Sequence, residues 1–454
     1  MVTQASLSSL PYDVFSVIAR DMVTSGSQKS LLQLALASRM MCGLVIPEFL
    51  FARNSFQDVG PATFTSFCQR INARGSMAGN AVRHFEYTSC HPLSHSQSAE
   101  LDDAMKKFRN VQSLKFWSMD LPRISKEVLS SYHCLRSIHL TSCMPASLAT
   151  LPDFWELHVL SIQYGGGYTI TPDSALGKVL IRSQKSLKEL TLGHMRWQLG
   201  SPQAVSTEMD FMWPNVHTLN FSSLKFDHLD FARTFPSTRV FTSPHVRSGS
   251  DGQILPREFL ARLESSEGSG DVIRAALDAG AKLRRIVQCG GSFKAPGTPL
   301  DFEKLPSSLR SLHVVQTDAH LDRFTHLSSV SPHLQFLCVT FNVNYDHEAI
   351  PMLEKLLAPL SHLPLKHLSL NVNHDARPTG PVLRPRLLQS SNAFLESAST
   401  LIPTLEALTV GWPSWNFCWK RVVDRDADGV VSCRFDQTSW ADGCTFKKLH
   451  DLQY

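Results

Sequence analysis

The sequence predicts an α/β protein in which a short helical module precedes a long array of strand-and-helix units. Three observations support this fold class. Residues 10–44 have the apolar spacing of two amphipathic helices, one six-residue phrase recurs twelve times from Val82 onward, and proline precedes six of those phrases. Because the phrase recurs at a similar interval, we expect neighbouring units to pack side by side.

The first helix is predicted to begin at Leu10 and Pro11. Proline is tolerated at the first helical position because its φ is already near the helical value and no N–H donor is needed there. Val14, Ile18 and Met22 then follow at steps of four residues, which places them on one face of the helix. That face must be buried against another element or a partner.

The second helix is predicted to start at Ser30, because serine is a good N-cap residue. Pro47 prevents its extension. The apolar face of this helix consists of the residues at three- and four-residue steps, which are Leu31, Leu34, Ala35, Ser38, Met41 and Val45. Two helices this short can barely bury their own apolar faces.

The recurring phrase is an apolar residue followed by two more at offsets of three and five. It starts at Val82, Val111, Leu135, Leu157, Leu187, Val216, Leu283, Leu309, Leu334, Leu365 and Leu405, and a weaker copy starts at Thr238. Most starts are 22 to 31 residues apart, at or just above the period of a leucine-rich repeat. Each phrase predicts a short strand whose alternate side chains enter a core. Stacked units predict a solenoid with parallel strands on the concave face and helices and loops on the convex face.

The segments between phrases carry helical patterns, as in ELDDAMKKF from Glu100 and EAIPMLEKLL from Glu348. Two stretches, around residues 248–271 and 374–391, are predicted to be insertions that interrupt the period. The glycines at 165–167 and 290–291 are predicted turns. Asp428 and Gly429 predict a tight hairpin between VVDR and VVSCRF, because Asp-Gly is a strong turn signal.

The N-terminal pattern resembles the F-box, a helical module of cullin-based ubiquitin ligases, and the array resembles leucine-rich repeats. The F-box resemblance implies that the helices bind a Skp-type adaptor. It covers residues 1–47, and Met41 stands where the family often has tryptophan. The adaptor-binding residues that the resemblance implies are Leu10, Pro11, Val14, Ile18, Leu31, Leu34, Ser38 and Met41.

The predicted organisation has four parts. Residues 1–47 form the F-box-like module, 48–81 a connecting segment with the N-terminal cap of the solenoid, 82–412 the degenerate repeats and 413–454 a C-terminal cap with the hairpin. Outward strand positions are predicted to contact the substrate, because a concave sheet presents many side chains to one partner. The residues assigned this role are Lys115, Trp117, His139, Glu189, Asn220, His313, His367 and Asn371.

Several function classes are disfavoured. A net charge of +4 over 454 residues offers no case for nucleic-acid binding. Ten cysteines without a CxxC pair predict buried, reduced thiols and no zinc site. No signal peptide or membrane span is evident, which predicts a cytoplasmic or nuclear protein. No catalytic constellation, metal site or cofactor motif stands out, so we expect the protein not to be an enzyme.

The combination of F-box-like helices with leucine-rich repeats implies the substrate-recognition subunit of a cullin-RING ubiquitin ligase. The partners implied are the Skp-type adaptor, its cullin complex and an unidentified protein substrate. The alternative is a leucine-rich-repeat scaffold for protein–protein interaction that has no ubiquitin ligase association. The two hypotheses share the repeats and differ in the N-terminal helices, which a scaffold would bury.

Overall fold

The structure is a computed structural model of the chain. It describes residues 12–24, 28–37, 39–46, 49, 51–57, 61–73, 78–88, 93–117, 126–142, 148–149, 151–199, 211–226, 229–244, 255–289, 300–343, 349–374, 394–412, 415–425 and 431–438. The chain divides into two units, Met1–Ser237 and Thr238–Tyr454, and each is a mixed α/β arrangement dominated by parallel strands.

Unit 1 begins with three short helices and continues as alternating strands and helices. Its helices are α1 Tyr12–Thr24, α2 Gln28–Ala37, α3 Arg39–Val45, α4 Pro61–Asn72, α5 Ala78–Ala81, α6 His95–Met105, α7 Lys126–Ser130, α8 Ala175–Arg182 and α9 Phe231–Thr234. Its strands are β1 Arg53–Gln57, β2 His84–Thr88, β3 Ser113–Trp117, β4 Ser137–Thr141, β5 Val159–Ile170, β6 Glu189–Trp197, β7 Thr218–Ser222 and β8 Lys225–Phe226. Strands β1 to β7 pair in chain order and all in parallel, and β8 pairs with β6.

Unit 2 follows the same plan and ends in a hairpin. Its strands are β9 Val240–Ser243, β10 Ser265–Gly268, β11 Arg285–Gln288, β12 Ser311–Thr317, β13 Phe336–Val343, β14 His367–His374, β15 Ala407–Trp412, β16 Trp415–Arg425 and β17 Val431–Thr438. Its α-helices are α10 Arg257–Ala261, α11 Gly270–Asp278, α12 Leu327–Val330, α13 Ala349–Leu360 and α14 at 394–401, with 3-10 turns at Phe302–Lys304 and Asp318–His326. Strands β9 to β15 pair in parallel, whereas β16 and β17 pair antiparallel.

All twelve phrases become strands, and each of these twelve strands starts two residues after the first residue of its phrase. The residues at offsets three and five point into the core, as Leu190 and Leu192 do in β6, and both are fully buried. Each such leucine contributes about 1.5 to 3 kcal/mol by leaving water. The phrase therefore has a physical basis, because the alternation of a strand puts exactly those offsets on one face.

One predicted insertion is in part a further strand. The stretch around residues 248–271 contains β10, which pairs in parallel with β9 and with β11. Its inward positions are occupied by Ser266 and Gly268 instead of apolar residues, so this stretch of the sequence lacks the apolar phrase. Strand β1 was not predicted for a similar reason, because the polar residue Asn54 occupies its first inward position. The side-chain amide of Asn54 donates to the Phe51 carbonyl at 2.7 Å.

Three local predictions are wrong. Ser30 is not an N-cap, since α2 already begins at Gln28. The predicted second helix is two helices, α2 and α3, with residue 38 between them outside the described residues. The glycines at 165–167 are not a turn, because β5 runs through them with a register shift between Gln163 and Tyr168. The predicted hairpin is confirmed, with Arg425 opposite Val431, while residues 426–430 at its tip lie outside the described part.

Candidate functional site

The N-terminal helices have a small hydrophobic core of their own. Its buried members all come from the first 49 residues and are Phe15, Ala19, Leu31, Ala35, Met41, Val45 and Phe49. The rings of Phe15 and Phe49 meet edge to face with centroids 6.2 Å apart, a favoured aromatic geometry. Met22, Leu34 and Ile46 pack against this cluster and remain partly exposed. The helices are therefore held together by contacts that use only one side of each.

The other side of these helices presents apolar side chains to the solvent. Six of the eleven large apolar side chains exposed in the described part of the chain lie between Val14 and Met40. They are Val14, Val17, Ile18, Leu32, Leu36 and Met40, and we call them the exposed apolar set. Leu36 is 76% exposed and Val17 is 65% exposed. Such clustering of exposed apolar side chains is typical of a protein interaction site.

The predicted adaptor-binding residues occupy different positions in this module. Val14 and Ile18 belong to the exposed apolar set, so both are accessible to a partner. Leu31 and Met41 are buried in the core of the module, and Leu34 is partly buried against it. Leu10, Pro11 and Ser38 lie outside the described residues.

Four members of the exposed apolar set were not singled out from the sequence. They are Val17, Leu32, Leu36 and Met40. A signal was present, because Leu32 and Leu36 follow each other at one helical turn, on a different face from Leu31 and Ala35. Periodicity cannot say which of two apolar faces packs inward, since both satisfy the same spacing.

A second surface is formed by the outward side chains of unit 1. The parallel register aligns Glu86 of β2 with Lys115 of β3, and Lys115 with His139 of β4. Lys115 Nζ lies 2.6 Å from Glu86 Oε1, and Ser55 of β1 donates to Glu86 Oε2 at 3.0 Å. The structure thus brings together Lys115 and His139, two of the residues assigned to substrate contact.

His139 has a perturbed titration because of this environment. Burial lowers its pKa below the ordinary value, the charge of Lys115 lowers it further, and Glu86 opposes both effects. Its Nε2 lies 3.0 Å from the hydroxyl of Ser137. At neutral pH the imidazole is therefore neutral and can both donate and accept hydrogen bonds.

The remaining predicted contact residues of unit 1 lie on the same outward rows. Trp117 ends β3 and is 52% exposed, which makes it the largest exposed apolar side chain of this sheet face in the described residues. Asn220 is in cross-strand register with Thr191 of β6, and Glu189 is in register with Thr218. A bulky aromatic beside polar and charged groups is a favourable anchor for a protein partner.

In unit 2 each predicted contact residue contacts a side chain of a neighbouring strand. The imidazole of His313 lies 3.1 Å from the hydroxyl of Thr340, and that of His367 lies 3.3 Å from the hydroxyl of Thr409. Asn371 donates to the sulfur of Cys338 at 3.3 Å. His367 is largely buried, so it offers less surface to a partner than the half-buried His313.

Two of the described thiols, those of Cys68 and Cys289, are poor nucleophiles because their pKa values are raised. Burial raises the pKa of the Cys68 thiol to about 12, with Glu100 adding to the effect. Burial likewise raises the pKa of Cys289 to about 11. Because the thiolate is the reactive form, both side chains are almost entirely protonated at neutral pH. Among the described residues, no group of three or more His, Cys, Asp or Glu side chains has a geometry suited to a metal ion.

Comparisons with known proteins add no assignment. No protein family matches this sequence, and no curated protein is significantly similar to it. In the portion of the chain that the structure describes, no helix combines the length and apolar character that crossing a membrane requires.

Proposed function

We propose that this chain is the substrate-recognition subunit of a cullin-RING ubiquitin ligase. The N-terminal helices bind a Skp-type adaptor, and the outward faces of the strand arrays bind the protein substrate. The single observation that carries this proposal is the exposed apolar set on helices that already have a core of their own. We place the protein in the cytoplasm or nucleus, where such complexes act.

The packing of the module divides its residues between two roles. Leu31 and Met41 hold the helices together, while Val14 and Ile18 remain available to the adaptor. A module that served only to cap the larger fold would have no physical reason to keep six large apolar side chains in water. Burying each of them against an adaptor stabilises the complex by up to about 1.5 to 3 kcal/mol.

The protein itself performs no chemistry in this proposal. Its two surfaces hold the substrate and the ubiquitin-loaded enzyme in one complex, which raises the effective concentration of substrate lysines near the reactive thioester. The strand arrays suit this role because they present polar and aromatic side chains, such as Trp117 and His139, in rows along neighbouring strands. Without adaptor binding, the same arrays would serve a scaffold.

The test is binding of the full chain to purified Skp-type adaptor, measured by calorimetry or pull-down. Val17→Asp and Leu36→Asp place a charge in the exposed apolar set, and both should abolish binding while the thermal unfolding of the chain stays unchanged. Val423→Asp is the matched control, because Val423 is also exposed, at 56%, but lies on β16 in unit 2. That variant should bind as the native chain does.

Two outcomes would overturn the proposal. If the native chain does not bind the adaptor, the protein is a scaffold without ligase association. If Val17→Asp and Leu36→Asp bind normally, the exposed apolar set is not the adaptor surface. A Leu34→Asp variant alone would be ambiguous, because Leu34 packs against the core of the module and its loss would also unfold the helices.

A further inference from the structure

Immediately before each of the strands β1 to β6 lies a residue whose carbonyl accepts two hydrogen bonds from the start of the next strand. The carbonyl of Arg136 accepts hydrogen bonds from the N–H groups of His158 and Val159, at 2.7 and 3.0 Å. The carbonyl of His158 accepts in the same way from Lys188 and Glu189, at 2.7 and 3.1 Å. This repeated pair of bonds aligns the equivalent residues of successive strands.

That line is basic or neutral throughout unit 1 from β2 to β7, and we call it the basic row. Gln112, Arg136, Lys188 and His217 are exposed, whereas Arg83 and His158 are half-buried. In order along the sheet its members are Arg83, Gln112, Arg136, His158, Lys188 and His217. None of its positions carries an acidic residue, so no member can neutralise another.

The charges of the basic row act on one another. Burial lowers the pKa of His158, and the positive charges of Arg136 and Lys188 on either side lower it further. Among the described residues, the Nη1 of Arg136 donates to the backbone carbonyl of Glu156, at 3.2 Å. The carboxylate of Glu156 is instead paired with Arg182, at 3.4 Å. The basic row therefore concentrates positive charge that the neighbouring acidic side chain does not cancel.

The equivalent line in unit 2 differs because it contains acidic residues. Glu264 occupies one of its positions and pairs with Arg239 at 2.6 Å. Glu406 occupies another and pairs with Lys366 at 3.5 Å. Both lines have the same backbone arrangement, so the difference lies in the side chains alone. Arg284 and Arg310 of unit 2 lie on adjacent strands, whereas the three cations of the line in unit 1 lie on every second strand.

The spacing of the charges selects the partner. Neighbouring strands are about 4.8 Å apart, so Arg83, Arg136 and Lys188, on every second strand, are separated by about 9.6 Å. A polyproline II segment has three residues per turn and rises about 9.3 Å per turn. Acidic residues at every third position of such a segment therefore face one side at the spacing of the three cations.

We propose that the basic row binds an extended acidic peptide segment of a partner protein, with carboxylates at every third residue opposite Arg83, Arg136 and Lys188. Duplex nucleic acid is a poorer match, because it carries one charge per about 1.7 Å and is not complemented by three widely spaced cations. The row also contains no Phe, Tyr or Trp side chain, the large aromatic rings on which bases stack in single-stranded sites. This surface does not depend on adaptor binding by the N-terminal helices.

The test uses the full chain and a fluorescein-labelled peptide of four Glu-Pro-Pro repeats, with fluorescence anisotropy at low ionic strength. A second peptide of identical composition has its four glutamates in one block. We expect saturable binding of the repeat peptide, weaker binding of the block peptide and loss of affinity as salt is added, because the contacts are exposed ion pairs.

Two double variants localise the site. Arg136→Gln with Lys188→Gln removes two charges from the basic row and should weaken binding about three- to tenfold. Arg284→Gln with Arg310→Gln makes the same charge change at the equivalent positions of unit 2 and should change affinity by less than about twofold. Thermal unfolding of both variants verifies that they are folded.

Several results would overturn the proposal. Equal losses in the two double variants would show that only net charge matters, and equal affinity for the two peptides would remove the role of spacing. Absence of saturable binding up to about 1 mM peptide would show that the row binds no acidic segment. Tighter binding of an oligothymidylate of matched charge would assign the row to nucleic acid. None of these results bears on the adaptor experiment, since the Gln substitutions lie outside residues 12–49.

Discussion

Lys115 Nζ and Glu86 Oε1 are 2.6 Å apart across two neighbouring parallel strands, because the register of β2 and β3 sets the two residues opposite each other. The next strand continues this row with His139. A cation, an anion and an imidazole thus lie side by side on the outward face of unit 1. The two charges act on the imidazole with opposite sign.

We expect the pKa of His139 to move in opposite directions when either charge is removed. Lys115→Gln removes a positive charge and should raise this pKa, whereas Glu86→Gln removes a negative charge and should lower it. NMR titration of the imidazole measures both. Lys188→Gln is the control, because that charge acts on His158 and should raise the pKa of His158 alone. A shift of His139 in the same direction in the Lys115 and Glu86 variants would contradict the geometry.

The stability of the protein should fall in mildly acidic solution. The pKa values of His84, His139 and His158 are all lowered in the folded state, by burial first and by neighbouring positive charges second. As pH falls below the ordinary histidine value of about 6.5, the unfolded chain takes up protons before the folded chain does, so the free energy of unfolding decreases. Urea unfolding between about pH 7.5 and pH 5 measures this slope.

A variant isolates one contribution to that slope. His139→Gln removes the most buried of the three imidazoles, so its stability should depend less steeply on pH than that of the native chain. An unchanged slope in His139→Gln would mean that this histidine titrates alike in both states.

Two buried serines should respond oppositely to replacement by alanine. Ser266 in β10 is fully buried, and its hydroxyl has no hydrogen-bond partner among the described residues. Ser183 is equally buried, but its hydroxyl donates to the Trp155 carbonyl at 3.2 Å and accepts from the Leu157 N–H at 3.0 Å. We expect Ser266→Ala to stabilise the chain by about 1 kcal/mol and Ser183→Ala to destabilise it by about 1 to 3 kcal/mol.

Denaturant unfolding of the two serine variants provides the comparison. The substitutions remove the same atom, so loss of volume contributes equally to both. A destabilised Ser266→Ala protein would indicate that a water molecule satisfies this hydroxyl.

Replacement by alanine should have opposite effects on stability at two helical glycines, Gly177 and Gly43. A Cβ on Gly177 in α8 would clash with the Thr171 carbonyl oxygen, so Gly177→Ala forces the preceding loop to move. We expect it to cost at least about 1 to 3 kcal/mol. Gly43 in α3 has nothing within 4 Å of the added Cβ, so Gly43→Ala should stabilise the chain by up to about 1 kcal/mol. Thermal unfolding distinguishes the two, and equal effects would contradict the close approach at Gly177.

The strands of the repeated phrase could be predicted because their burial pattern depends only on the alternation of apolar side chains within the strand. An inward pair such as Leu190 and Leu192 is readable from alternation alone, and the residue that opens the phrase, Leu187, is fully buried in the structure. Strand β10 could not be predicted in this way, because Ser266 and Gly268 occupy its inward positions. Its position is set by backbone pairing with β9 and β11, which does not require apolar side chains.

At the candidate site of the N-terminal helices, too, spacing predicted one feature and only the folded structure decided another. Spacing predicted that Val14 and Ile18 share a helix face, and the structure agrees. Spacing did not indicate that this face is exposed while Phe15 and Ala19 form the core. That choice depends on which face finds complementary partners in α2, in α3 and at Phe49, all of which are brought together only by folding.

The sequence by itself determined where the twelve strands of the repeated phrase start and which of their side chains are buried, because the inward positions of a strand and the last two apolar positions of the phrase are both two residues apart. The tertiary structure decided how the outward residues are arranged relative to one another. It places Glu86 opposite Lys115 on adjacent strands, and it aligns Arg136 with Lys188 two strands away. Those residues are separated along the chain by long returns of varied length. Only the hydrogen-bonded register between strands aligns them, and that register is a property of the folded backbone.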